Sequence, residues 1–150
     1  MKITKKGEYA LEALLDLASS YEEKKINLRE ISRKNQIPYK FLEQIMTLLK
    51  QSGFIKSEKG KFGGYRLSRP PKNITLAEVI RAIEGPLSPI ATASEMKQRI
   101  KQDQHPGLYF IFLEVRNAIA DILDHTTLAD VCEKSMELSG SKSTYQMYYI

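Results

Sequence analysis

Polar side chains recur at helical spacing in the first part of the segment from Ile37 to Leu67. Apolar residues at Phe41, Ile45 and Leu48 form one face of a predicted helix with a 3.6-residue period. The other face carries Tyr39, Lys40, Glu43, Gln44, Thr47, Lys50 and Gln51. Their donors, acceptors and charges are suited to base edges and phosphates. This face is therefore a candidate binding surface.

A hairpin is expected directly after that helix. Gly53 ends the helix, and strands are predicted over residues 54–58 and 65–68. The connecting tip, residues 59–64, reads Lys-Gly-Lys-Phe-Gly-Gly and contains no acidic residue. A polar helix followed by a basic-tipped hairpin is the combination that a winged helix-turn-helix presents to DNA.

Two further helices are predicted on the N-terminal side. The first covers 8–20, and Lys2, Lys5 and Lys6 precede it. Cations oppose the helix dipole there unless an anion, such as a phosphate, lies nearby. The second covers 28–35, because Asn27-Leu28-Arg29-Glu30 matches a capping box, and a short turn separates it from the polar helix. Together these elements predict a helix-turn-helix.

The second half of the chain predicts helices of a different kind. A capping box at Thr75 opens a helix that ends at Gly85-Pro86, after an extended linker over 69–72. The apolar stripe of a long helix over 108–123 is broader than one domain needs. It predicts a dimer interface, with packing on its own chain as the alternative. The predicted interface residues are Leu108, Phe112, Val115, Ile119 and Ile122. A short last helix follows Thr127 and carries Cys132.

The net charge of +5 is unevenly distributed. Residues 1–75 hold 16 Lys and Arg against 8 Asp and Glu, whereas residues 76–150 hold 7 against 10. A basic first half favours a polyanion partner, although a solvated basic face is the alternative. No apolar run approaches the ~20 residues that span a bilayer, and no secretory signal is present, so a cytoplasmic protein with no membrane partner is expected.

Catalytic chemistry is not predicted. The single cysteine excludes an intrachain disulfide framework, and the two histidines form neither a nucleophile-base pair nor a metal site by spacing. The glycine-rich tip lies within a hairpin and not between a strand and a helix, so it does not indicate nucleotide binding. We therefore expect a protein that is not an enzyme and has no cofactor.

The chain resembles the BadM/Rrf family of bacterial winged-helix transcriptional regulators. The motifs that carry the resemblance are Lys-Gly-Glu-Tyr-Ala (6–10), the Tyr-x-x-x-Glu-Gln pattern (39–44), Gly-Phe-Ile (53–55), Gly-x-x-Gly-Gly-Tyr (60–65), Ile-Thr-Leu (74–76), Glu-Gly-Pro (84–86) and Thr-Thr-Leu-Ala-Asp (126–130). The resemblance implies a homodimer whose polar helices enter successive major grooves of a palindromic operator while the wings reach minor grooves. The DNA contacts expected are Lys5, Lys6, Tyr9, Tyr39, Lys40, Glu43, Gln44, Lys59, Lys61, Gly63, Gly64 and Tyr65.

Glu43 has two interpretations. It can accept a hydrogen bond from cytosine N4, or it can pair with Lys40 or Lys50 on its own helix.

The chain departs from the cluster-binding members of that family. They place three cysteines before the long helix, and residues 87–107 contain none, so an iron-sulfur cluster of the usual kind is not expected. The chain is most similar to the cysteine-metabolism repressor group. There, a C-terminus ending in isoleucine inserts into cysteine synthase, and Tyr148, Tyr149 and Ile150 are similar. The alternative is that these aromatic residues fold back on the dimer.

These inferences define a mainly α protein with a small β-hairpin wing. The expected parts are a winged helix-turn-helix over 1–70, a linker, helix and dimerisation helix over 71–137, and a flexible tail over 138–150. The expected function is sequence-specific DNA binding, with repression as the usual outcome. One alternative is a protein-interaction module whose tail regulates an enzyme. RNA binding is disfavoured because the A-form major groove is too narrow for the polar helix.

Overall fold

The computed structural model describes residues 1–88 and 91–140 of the chain. The helices are α1 (Lys5–Ser19), α2 (Leu28–Asn35), α3 (Tyr39–Gln51), α4 (Leu76–Glu84), α5 (Ala93–Gln102), α6 (Pro106–Asp124) and α7 (Leu128–Gly140). The strands β1 (Ile55–Glu58) and β2 (Gly64–Leu67) form one antiparallel hairpin. Across the described ranges, no helix is long and apolar enough to cross a membrane. The mainly helical fold with a hairpin wing is as predicted.

Helices α1, α2 and α3 share one hydrophobic core. Its fully buried side chains include Leu14, Ile31, Leu42, Ile45 and Leu49. The Asn27 side chain caps α2 by accepting a hydrogen bond from the Glu30 N–H at 2.9 Å. Gln36 ends α2 in a left-handed conformation, and α3 begins three residues later. The short turn and the shared core establish the helix-turn-helix.

The wing is attached to the loop between α1 and α2. Ile55 pairs with Leu67 in the hairpin, and both side chains are buried. The backbone of Ile26 exchanges two hydrogen bonds with Tyr65, at 3.0 and 2.8 Å, which adds a third backbone segment beside β2. The hairpin is therefore fixed to the helix-turn-helix at its outer strand as well as at its base.

The second half packs α4 and α5 against α6. The caps predicted at Thr75 and Thr127 both form, and the backbones of these residues meet in an isolated antiparallel bridge. Arg81 of α4 forms two hydrogen bonds with the Asp124 carboxylate of α6, at 2.5 and 3.0 Å. The Asp124 pKa is lowered, with the Arg81 hydrogen bonds as the largest cause.

Apart from shifts of one or two residues at the ends of the strands and of α6, three elements differ from the sequence prediction. Helix α1 begins at Lys5, three residues early, because the Thr4 side chain caps it. The linker includes a 3-10 turn over Pro71–Asn73 and is not fully extended. Helix α7 has 13 residues and is not short, since the sequence before Gly140 contains no glycine or proline to end it.

Candidate nucleic-acid interface

The outer face of α3 is exposed along its length. Lys40, Glu43, Gln44 and Thr47 are exposed, and Tyr39 is 42% exposed. The fully buried residues on the opposite face are Leu42, Ile45, Met46 and Leu49. This burial anchors the helix and leaves the predicted base-reading side chains accessible.

Glu43 forms no ion pair with any residue that the structure describes. Its backbone carbonyl accepts a hydrogen bond from Thr47 Oγ1 at 2.9 Å, but its carboxylate pairs with neither Lys40 nor Lys50. The Lys50 ammonium instead donates to Ser57 Oγ at 2.7 Å, which connects α3 to the wing. An exposed carboxylate without a cationic partner can accept a hydrogen bond from a base.

The two predicted wing lysines lie exposed at the hairpin tip. Within residues 1–88 and 91–140, neither Lys59 nor Lys61 forms an ion pair, and the Lys61 ammonium is 5.9 Å from the centroid of the Phe62 ring. The lysines can neutralise phosphates without breaking an ion pair to any described residue.

Three predicted contacts, Gly63, Gly64 and Tyr65, help to build the wing. A Cβ atom on Gly63 would overlap the Glu58 carbonyl oxygen, and one on Gly64 would lie 2.9 Å from the Ile26 carbonyl oxygen. Tyr65 is partly buried against the core and holds the bridge to Ile26. Close backbone packing, independent of any contact with DNA, requires both glycines.

Lys56 and Arg66 are candidate contacts that the sequence analysis missed. They are direct cross-strand partners in the hairpin, and both side chains are exposed. Like charges placed opposite each other are destabilising, and a bound polyanion removes that cost. The alternation of buried and exposed residues in β1 could have placed Lys56 outward, but Arg66 needed the hairpin register.

The N-terminus of α1 already has an internal anion. Glu84, the last residue of α4, accepts hydrogen bonds from the Thr4 N–H at 3.0 Å and the Thr4 hydroxyl at 2.5 Å. The Glu84 pKa is lowered, first by the Thr4 hydroxyl, then by the backbone N–H groups of Thr4 and Gly7 and by the nearby Lys6 charge. An anion within the chain therefore already lies beside the cations at the start of this helix.

The predicted contacts of α1 are arranged around Tyr9. The Lys5 ammonium lies 3.1 Å from the Glu8 carboxylate and 5.9 Å from the centroid of the Tyr9 ring, whereas the Lys6 side chain is exposed. Tyr9 is partly buried and packs edge-to-face on Phe41 of α3, with centroids 5.8 Å apart. Tyr9 thus contacts α3 through Phe41 and also contacts the Lys5 ammonium.

Only part of the apolar stripe of α6 is exposed, and the rest packs within the chain. Leu108, Val115 and Ile122 are 49%, 42% and 65% exposed. Ile111 lies on the same stripe and is 52% exposed, although it was not among the predicted interface residues. Ile119 is instead partly buried against the cluster formed with α4. Phe112 is partly buried and packs edge-to-face on Tyr109, with centroids 6.2 Å apart.

Cys132 lies on α7 against the end of α1. Its sulfur is 3.7 Å from Ser19 Oγ and 3.9 Å from the Leu15 carbonyl oxygen, and the residue is partly buried. In the described portion of the chain, no three His, Cys, Asp or Glu side chains gather as a metal site would require. The predicted tail residues Tyr148, Tyr149 and Ile150 lie outside the described residues.

Comparison with known proteins assigns the chain and its fold to one family. Residues 3–134 match the Rrf2 family, described as iron-dependent transcriptional regulators. The HTH-type transcriptional regulator CymR of Bacillus subtilis is 32% identical over 148 residues, which cover 99% of each chain. The structure of CymR, the global cysteine regulator of B. subtilis, aligns with a TM-score of 0.78 at 33% identity, covering 89% of this chain and 98% of that one. Staphylococcus aureus CymR aligns with a TM-score of 0.71 at 31% identity, covering 87% and 97%. The chain belongs to the Rrf2 family of DNA-binding transcriptional regulators.

Proposed function

We propose that the protein is a homodimeric repressor that reads a palindromic operator with α3 in the major groove and the wing in the adjacent minor groove. The observation that carries this proposal is the exposed polar face of α3, where the Glu43 carboxylate has no ion-pair partner among the described residues. Tyr39, Lys40 and Gln44 provide further donors and acceptors on that face. The basic wing supplies phosphate contacts beside it.

The homodimer is proposed because the apolar stripe of α6 is exposed. Leu108, Ile111, Val115 and Ile122 are spaced by three, four and seven residues, which places them along one side of the helix. A second copy of the same stripe would bury all four side chains across a twofold axis. Two recognition helices related by that axis would require a palindromic site. Ile119 is a supporting residue behind this interface, since its side chain packs against the cluster formed with α4, whereas Phe112, which is partly buried, stays a predicted interface residue.

The regulator works, in this proposal, without an iron-sulfur cluster. The family description names iron, but residues 87–107 contain no cysteine, and Cys132 lies against α1 on a different helix. Cluster irons are held by thiolates, so these residues do not fit such a group. Iron and acid-labile sulfide measured on protein purified without oxygen test this point, and one cluster equivalent per chain would contradict it.

Control by cysteine metabolism is proposed from the relatives and from the chain end. CymR is described as the global cysteine regulator of B. subtilis. The predicted partner segment, Tyr148, Tyr149 and Ile150, is aromatic and apolar, which suits an apolar pocket of an enzyme. Cysteine synthase is the partner we propose for it. The protein would act in the cytoplasm and carry out no catalysis of its own.

Selection of binding sites from random DNA tests the proposed function. The wild-type protein is expected to enrich an inverted repeat. Tyr39→Ala and Glu43→Ala are expected to change the enriched bases, because each removes a group facing the base edges, and each mismatch costs ~1–3 kcal/mol. Gln98→Ala is the control, since Gln98 lies exposed on α5 and not on the polar face of α3. Unchanged base preference in both test variants would contradict the assignment of α3.

A protein-interaction module is the competing function. It predicts that the wild-type protein enriches no sequence, while it still captures an enzyme through the C-terminal residues.

A further inference from the structure

Phe62 is an exposed aromatic residue at the tip of the wing. Its side chain is 86% exposed, more than that of any other large hydrophobic residue in the part of the chain described by the structure. A hydrogen bond from the Gly63 N–H to the Gly60 carbonyl, at 3.0 Å, closes the tip turn that contains it. The turn therefore presents a phenyl ring that residues 1–88 and 91–140 leave exposed.

The surroundings of the ring are basic. A hollow of about 390 Å³ lies beside it and is lined by Lys24, Lys25, Asn27, Glu30, Lys61, Phe62 and Gly63. Lys24 pairs with Glu30 at 3.6 Å, and Lys25 pairs with Glu58. Lys61 has no such partner within the described ranges. The hollow thus combines one apolar ring with one ammonium group, that of Lys61, that forms no ion pair with the described residues.

This combination fits the minor groove of DNA better than an apolar protein surface. The walls of that groove are deoxyribose rings, which offer apolar contact, and its edges are phosphates, which attract lysine. A hydrophobic partner would have to desolvate the Lys61 ammonium without pairing it, which is costly. A minor groove can accommodate both groups at once.

We propose that Phe62 is a wedge that the wing inserts into the minor groove, where its ring packs on deoxyribose, partly unstacks one base step and kinks the operator toward the major groove. Apolar side chains that enter the minor groove in this way kink DNA by roughly 20–90°. The inference rests on the proposed function, and it adds a source of specificity. Easily unstacked pyrimidine–purine steps would be favoured at a position read by no hydrogen bond.

The wing has the support that a wedge requires. The carbonyl of Glu58 fits closely against Gly63 at the tip, and the Glu58 side chain pairs with Lys25 in the loop before α2. The bridge between Ile26 and Tyr65 fixes the outer strand to the same loop. The tip of the wing is therefore held in a fixed position relative to the helix-turn-helix.

The test uses the full-length protein and a duplex of about 30 bp carrying the sequence that the wild type enriches, labelled at both ends for energy transfer. Phe62→Ala is expected to weaken binding by about tenfold or more, because the buried area of a phenyl ring is lost. The bend should decrease, and the slope of log K against log salt should stay as in the wild type, because no charge is removed. Phe62→Leu, which keeps an apolar wedge, should retain most of the bend.

Lys61→Ala is the matched control on the neighbouring residue. It should flatten the salt slope by about 2 in a dimer, since each phosphate contact contributes ~0.9, and it should leave the bend unchanged. The inference is overturned if Phe62→Ala binds and bends DNA like the wild type, or if it loses affinity but keeps the full bend. A wild-type protein that enriches no sequence refutes the proposed function and this inference together, whereas an unbent wild-type complex refutes the wedge alone.

Discussion

The contact between Gly7 of α1 and Glu84 of α4 can be tested by changing both residues. Glu84 accepts two hydrogen bonds from Thr4, and loss of such a capping acceptor costs about 1 kcal/mol in the free energy of unfolding. A Cβ on Gly7 would overlap Glu84 Oε1 and lie 3.2 Å from its carboxyl carbon. Alanine is more favourable than glycine inside a helix by about 1 kcal/mol.

In the wild-type background, Gly7→Ala has two opposite effects on the free energy of unfolding. Gly7→Ala displaces the carboxylate and gains helix propensity, so the expected net change is about 0 kcal/mol. In the Glu84→Ala background the hydrogen bonds from Thr4 to Glu84 are already lost, so Gly7→Ala should stabilise the protein by about 1 kcal/mol. The coupling between the two substitutions is therefore about 1 kcal/mol, a size expected for residues in contact.

Urea unfolding of all four proteins, followed by circular dichroism at pH 7, measures this coupling. One protein concentration must be used throughout, because the stability of a dimer depends on concentration. Equal stabilisation by Gly7→Ala in the two backgrounds would refute the reasoning, since it would mean that the Glu84 carboxylate contributes nothing at this position.

The hydrogen bonds to Glu84 also predict how the free energy of unfolding depends on pH. The folded-state pKa of Glu84 is lowered, so its stabilisation is present above the pKa of the unfolded chain and is lost as pH falls through the lower folded value. The difference in unfolding free energy between the wild type and Glu84→Gln should shrink as the pH falls through the acidic range. A difference that grows on acidification would contradict the assignment.

Three further predictions concern the dimer, the wing and the chain end. Ile122→Glu should dissociate the dimer in analytical ultracentrifugation, because it places a charge in an apolar interface, whereas Asn117→Glu, also exposed on α6, should not. Lys59→Ala combined with Lys61→Ala should weaken binding to all sequences and flatten the salt slope by roughly 3 to 4, since both lysines occur twice in a dimer. Deletion of residues 145–150 should abolish capture of cysteine synthase and leave operator affinity unchanged; capture that survives the deletion would refute the role of the tail.

Local signals in the sequence account for much of the fold. Helix α2 has its predicted bounds because both of its ends are marked, by the Asn27 cap and by the turn before Pro38. The polar face of α3 followed from periodicity alone, since buried and exposed residues alternate there with the helical repeat.

Long-range contacts account for what the sequence could not predict. Thr4 and Glu84 are 80 residues apart, and no local pattern connects them. Periodicity shows that Ile119 lies on an apolar side of α6, but not that the cluster formed with α4 partly covers it. Arg66 likewise became a candidate contact only through its pairing with Lys56.

The bridge between Ile26 and Tyr65 has a consequence for operator geometry. In the proposed complex, the separation between the minor-groove and major-groove contacts of one half-site would be set by the fold, because the wing is hydrogen-bonded to the loop before α2. If a base pair is inserted between those two contacts, the wing cannot move to restore both of them. If a base pair is inserted between the half-sites, only the arrangement of the two protomers has to change. Each half-site should therefore have a constant internal length, and any variation in length among natural operators should be concentrated at their centres.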